Sequence, residues 1–91
     1  MQMSLPTPAE YVWFLEATDT ITHTADTVRQ LLDSAIETKG LVGKDPAGIA
    51  AAGAYVVDDT LKQATAADAM GVSTETIRRR SKVLCEVLAD D

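Results

Sequence analysis

Apolar residues recur along the chain at helical spacing, and no stretch alternates as a half-buried strand does. The clearest case is ADTVRQLLDSAIETKG, where Val28, Leu31, Leu32, Ala35 and Ile36 fall on one face of a helix. Lys39 and Gly40 follow as C-terminal signals. Upstream, PTPAEYVWFLEAT sets a proline at a helix start and then runs through Tyr11, Val12, Trp13, Phe14 and Leu15 without a polar break. So continuous a run predicts a helix buried on more than one side.

In LVGKDPAGIAAAGAYVVDDT, Asp45 is the expected N-cap and Pro46 the first helical residue. From Gly48 to Val57 the segment is almost without polar residues, the mark of a central helix enclosed by others. Its alanines let neighbouring helices come close, while Gly48 and Gly53 each cost about 1 kcal/mol of helix propensity that packing has to offset. KQATAADAMG then predicts a short helix ending at Gly71, followed by Val72 and the capping residue Ser73. The last helix, roughly 74–89, carries Ile77, Leu84 and Leu88 on one face with Ser81 between them, and ADD closes the chain as a frayed acidic tail. Five helices and no strand predict an all-α fold in a single domain over residues 1–91.

Composition narrows the function classes. The chain has 91 residues, enough for one core. No apolar run approaches the roughly 18 residues of a membrane span, and the start lacks a signal-peptide pattern, so a cytoplasmic, membrane-free protein is expected. One cysteine and one histidine do not make a structural zinc site, so no metal and no cofactor are expected. Cys85 reads as a small core or boundary residue, and His23 as a polar residue near a helix start. No nucleophile–base set, phosphate loop or paired-carboxylate cleft stands out, and the chain does not read as an enzyme. Net charge is −6, with nine Asp against five Glu, only four Lys, and eleven Thr. That mixture resembles proteins of extreme halophiles, whose carboxylate surfaces stay hydrated in concentrated salt.

Against this acidity stands GVSTETIRRRSKVL, which holds Arg78, Arg79, Arg80 and Lys82, half of the eight basic residues. A short helix, a glycine turn and a longer helix with a polar start are the parts of a helix-turn-helix, expected at about 62–89. Ser73, Thr74 and Thr76 are small enough to approach a groove and can contact phosphates or a thymine methyl. Arg78 and Arg79 suit a guanine edge or the backbone, and Lys82 suits a phosphate.

The order and content of these segments resemble the cyclin-fold repeat of archaeal TFB, the homologue of transcription factor IIB, in a haloarchaeal version. The resemblance runs over about residues 6–88. In the middle helix it rests on Gly43, Lys44, Pro46, Gly48, Ile49, Ala50, Ala51, Ala52 and Tyr55; in the last, on Gly71, Val72, Thr76, Ile77, Arg78 and Arg80. PAEYVWFLEAT is similar to the first helix of the C-terminal repeat. The resemblance implies a five-helix cyclin-like domain that binds double-stranded promoter DNA and acts with TATA-binding protein. It implies Arg78 as the base reader, with Ser73, Thr74 and Thr76 facing the groove.

Four features depart from that pattern, and the first is that Gly53, Ala54 and Asp58 soften it in the middle helix. Glu75 stands where the family has an apolar, base-contacting valine; its carboxylate repels phosphate but can accept from cytosine N4. Ser81 stands where an aromatic is common. The zinc ribbon, the polymerase-reaching linker and the second repeat are missing from the sequence, and Met1 with the acidic end favours a stand-alone regulator over an excised domain. The expected interface is therefore Ser73, Thr74, Glu75, Thr76, Arg78, Arg79 and Lys82. The alternative is a protein-interaction module that has kept the fold and lost DNA reading, binding a partner through Tyr11, Trp13 and Phe14.

Overall fold

Thr7 and Pro8 start the first helix by two separate means. The Thr7 hydroxyl accepts from the Glu10 N–H at 3.3 Å, and Pro8 sits at a first-turn position that needs no N–H of its own. The computed structural model describes residues 7–35, 37–38 and 40–89. Within them the chain forms α1 (Pro8–Ala17), α2 (Ala25–Ala35), α3 (Pro46–Val57), α4 (Gln63–Met70) and α5 (Thr74–Ala89), and the described residues contain no strand. Ile36, Lys39 and the acidic tail Asp90–Asp91 lie outside the described residues. α2 ends at Ala35, ahead of the Gly40 signal.

α3 is the axis of the fold and packs against all four other helices. Asp45 caps it, accepting from the Ala47 N–H at 3.1 Å, and Pro46 occupies its first turn. Gly48 through Ala54 are all buried, as the unbroken apolar segment predicts, but its last three residues, Tyr55, Val56 and Val57, are only half-buried. Close approach explains the two glycines there. A Cβ on Gly53 would lie 2.8 Å from Leu32 Cδ2, and one on Gly48 would lie 2.9 Å from the Thr76 γ-methyl. Both distances are well inside van der Waals contact, so each glycine is the hole into which a neighbouring helix sets a side chain.

Four residues expected in or at the edge of the core, Trp13, Phe14, Cys85 and Leu88, are exposed. α1 buries only Val12 and Leu15, leaving Trp13 68% and Phe14 42% exposed, so it is a one-sided surface helix and not one buried on more than one side. On α5, Ile77, Ser81 and Leu84 are buried, but Leu88 is 47% exposed and Cys85 is exposed. The last turn of α5 sits against Val57, the final residue of α3, together with Thr27, Gln30 and Leu31 of α2.

A polar clasp holds the loop after α3. Asp58 accepts from the Thr60 hydroxyl at 2.6 Å, from the Thr60 N–H at 3.0 Å and, across the chain, from the Thr24 hydroxyl at 3.2 Å. Thr24 in turn begins α2, since its carbonyl accepts from the Val28 N–H at 2.9 Å. The Thr60 hydroxyl bond, against the desolvation of partial burial and with help from the other two donors and nearby His23, holds the Asp58 carboxyl below its ordinary value. The folded chain therefore prefers the carboxylate. Its stabilisation is complete above the ordinary aspartate value of about 3.9 and fades as pH falls through the lowered folded value. Thermal melts taken from neutral to acid pH should show the wild type losing more stability below about pH 4 than Asp58→Asn does. Parallel profiles for the two proteins would contradict the clasp.

Candidate nucleic-acid interface

The basic helix is set by a sharp turn and a side-chain cap. Gly71 closes α4 in the left-handed region at φ 66° and ψ 33°, and its N–H bonds the carbonyls of Ala67 and Asp68. A side chain there would be strained, which is why a glycine stands at this point. Val72 then returns its N–H to the Ala67 carbonyl at 3.0 Å. Only Gly71, Val72 and Ser73 separate α4 from α5. The Ser73 hydroxyl accepts from the Thr76 N–H at 3.1 Å, so Ser73 is the N-cap that the sequence predicts. The first bond inside α5 runs from the Ile77 N–H to the Ser73 carbonyl at 3.2 Å, so the N–H groups of Thr74 and Glu75 precede the helical ladder.

α5 has two opposed faces. Ile77 and Leu84, both fully buried, and Ser81 turn inward, where α5 packs on α3, α4 and α2. Glu75, Arg78, Arg79 and Lys82 recur at helical spacing on the other side, and all four are exposed. Ser73 and Thr74 are also exposed, at the start of the same helix. Arg80 departs from the stripe and is half-buried. Thr76 is half-buried as well: its γ-methyl lies over Gly48, and its hydroxyl is 3.0 Å from the Ser73 hydroxyl. Six of the seven expected interface residues thus share one exposed surface, while Thr76 faces α3 and the cap. The signal for this was Gly48, whose missing side chain admits the threonine methyl.

Glu75 is more than a change of side-chain type. Arg79 Nη2 donates to Glu75 Oε1 at 2.8 Å, one turn along the helix, with both side chains mostly exposed. Such a surface pair adds little to stability, about 0.3–0.5 kcal/mol. Its consequence is electrostatic: one guanidinium is held by a carboxylate on its own helix. Arg78, Arg80 and Lys82 have no ion-pair partner among the described residues. The elements together give a rigid helix N-terminus with N–H groups, hydroxyls and cations on one side, and these can engage phosphates and the edges of bases.

The described residues hold no cluster of three or more histidine, cysteine, aspartate or glutamate side chains that could take a metal ion. None of their helices is long and apolar enough to cross a membrane. No protein-family model matches the chain, and no curated protein or solved structure matches it.

Proposed function

We propose that the chain is a DNA-binding domain of the transcription factor IIB type, with a five-helix cyclin-like fold. In this reading α4, the Gly71 turn and α5 form a helix-turn-helix that sets the N-terminal half of α5 into the major groove of double-stranded promoter DNA. Arg78 reads a base edge, Arg79 and Lys82 take backbone phosphates, and Ser73, Thr74 and the first N–H groups fix the register. The observation that carries the reading is the exposed Arg78–Arg79–Lys82 stripe on a helix whose opposite face is locked into α3.

The charge balance then decides what else is needed. If Arg78, Arg79, Arg80 and Lys82 all met phosphates, log K would fall against log salt with a slope of about −3.6. Tenfold more salt would then weaken binding by roughly three to four decades. An acidic protein suited to concentrated salt cannot hold DNA by that grip alone, so TATA-binding protein on the same promoter supplies the remaining affinity through effective concentration. Fluorescence anisotropy of a labelled promoter duplex at rising salt tests this. Binding should have a salt slope no steeper than about −3.6, and added TATA-binding protein should extend it to higher salt. No binding at low salt, with or without TATA-binding protein, would sink the proposal.

A further inference from the structure

Two of the four large apolar side chains exposed among the described residues belong to α1, outside the α5 stripe. Trp13 is 68% exposed and Phe14 42%. With Tyr11 they form one wall of an open groove of about 500 Å³ whose other walls are Ala47, at the start of α3, and Ala69 and Met70, at the end of α4. A tryptophan at this exposure on a small protein is an anchor in search of a cover, since aromatic side chains carry most of the energy at protein interfaces. Alanine and methionine opposite give a shallow, adaptable floor.

Charge identifies the occupant. Among the described residues, Glu10 is the one charged residue lining the groove, it has no ion-pair partner, and neither lysine nor arginine lines it. The chain as a whole carries −6. Nucleic acid is therefore repelled from this surface, and a second copy of the chain would bring its own six negative charges. A groove that is aromatic within and acidic at its edge fits a helix with an apolar face and a lysine- or arginine-rich rim.

We propose that the α1–α3–α4 groove docks a basic amphipathic helix of a partner protein, with Trp13 and Phe14 packing on its apolar face and Glu10 pairing with its rim. The site is independent of the DNA reading. It ends at Met70, one residue before the Gly71 turn, so an occupant would lie beside the start of α5 without covering Arg78 or Lys82.

Trp13 is the only tryptophan, and its emission reports directly on this groove. The probe is a short synthetic helix with leucines at helical spacing and lysines on both flanks; the control has glutamates in place of the lysines. With the full chain, the lysine peptide should shift Trp13 emission to the blue and bind at least about tenfold more tightly than the glutamate peptide, a difference of about 1.4 kcal/mol. Read by anisotropy of labelled peptide, Trp13→Ser should abolish binding and Glu10→Lys should remove the preference for lysine, with circular dichroism unchanged in both. Equal affinity for the two peptides, or no blue shift, overturns the proposal. So does a blue shift that grows with protein concentration alone, which assigns the groove to a second copy, or one produced by lipid vesicles and not by the peptide.

Discussion

Leu84→Ala is expected to remove about 2–5 kcal/mol of folding stability, a large part of the roughly 5–14 kcal/mol that a chain of this length has. The reason lies in the make-up of the core. Ala25, Ala35, Ala50, Ala51, Ala52, Ala54, Ala66 and Ala67 are eight of the nineteen buried apolar residues among those described. An alanine buries little apolar surface, so most of the hydrophobic stabilisation falls on the few large side chains that are fully buried, Leu15, Ile21, Ile77 and Leu84 among them. Close packing of small residues also leaves the surroundings little freedom to collapse into the space Leu84 would vacate. Each kcal/mol of destabilisation lowers the thermal midpoint by about 4–8 °C, so a melt should fall by roughly ten degrees or more. Leu88→Ala on the same helix serves as the control, because Leu88 is 47% exposed and should change stability by less than about 1 kcal/mol. Equal effects of the two substitutions would mean that α5 does not pack as described.

Replacing Arg78 and Arg79 together with alanine should weaken binding to a promoter duplex by roughly thirtyfold or more, at about 1–3 kcal/mol for each arginine removed. The two residues should not contribute equally. Arg79 must leave its 2.8 Å bond to Glu75 to reach DNA, whereas Arg78 has no such partner among the described residues. Arg78→Ala alone should therefore cost more than Arg79→Ala alone. Glu75→Gln should act in the opposite direction on duplex of mixed sequence. It releases Arg79 and takes a negative charge away from the phosphates, so binding tightens and the salt slope steepens by up to about 0.9. Because the Glu75–Arg79 pair is exposed, folding stability should stay within about 0.5 kcal/mol of wild type. Anisotropy titrations at two salt concentrations measure each variant against wild type. Wild-type affinity in Arg78→Ala would remove α5 as the reader, and weaker mixed-sequence binding in Glu75→Gln would make the carboxylate a contact and not a brake.

The candidate interface was legible because it depends on local rules. Gly71 followed by Ser73 marks a left-handed stop and an N-cap, and both occur where those residue types place them. Helical spacing then puts Glu75, Arg78, Arg79 and Lys82 on one side and Ile77 and Leu84 on the other. Thr76 was not legible in this way. Its type suits a groove, but its methyl fills the space above Gly48, twenty-eight residues earlier in the chain. The Glu75–Arg79 pairing follows from one-turn spacing, yet the capture of Arg79 by its own helix is a matter of geometry.

The sequence by itself determined the five helices, their order, the Asp45 and Ser73 caps and the Gly71 stop, since each rests on interactions within a few residues of the chain. Only the tertiary structure decided which apolar residues have a neighbour to cover them. Trp13 and Phe14 belong to as apolar a run as Val12 and Leu15, and Leu88 continues the stripe of Ile77 and Leu84. All three remain exposed, because α1 buries only Val12 and Leu15, and Leu88 lies at the rim of the core, where Val57 and α2 flank an open groove and do not cover it. Hydrophobic pattern states what a residue would gain from burial; whether it is buried depends on where the other helices lie.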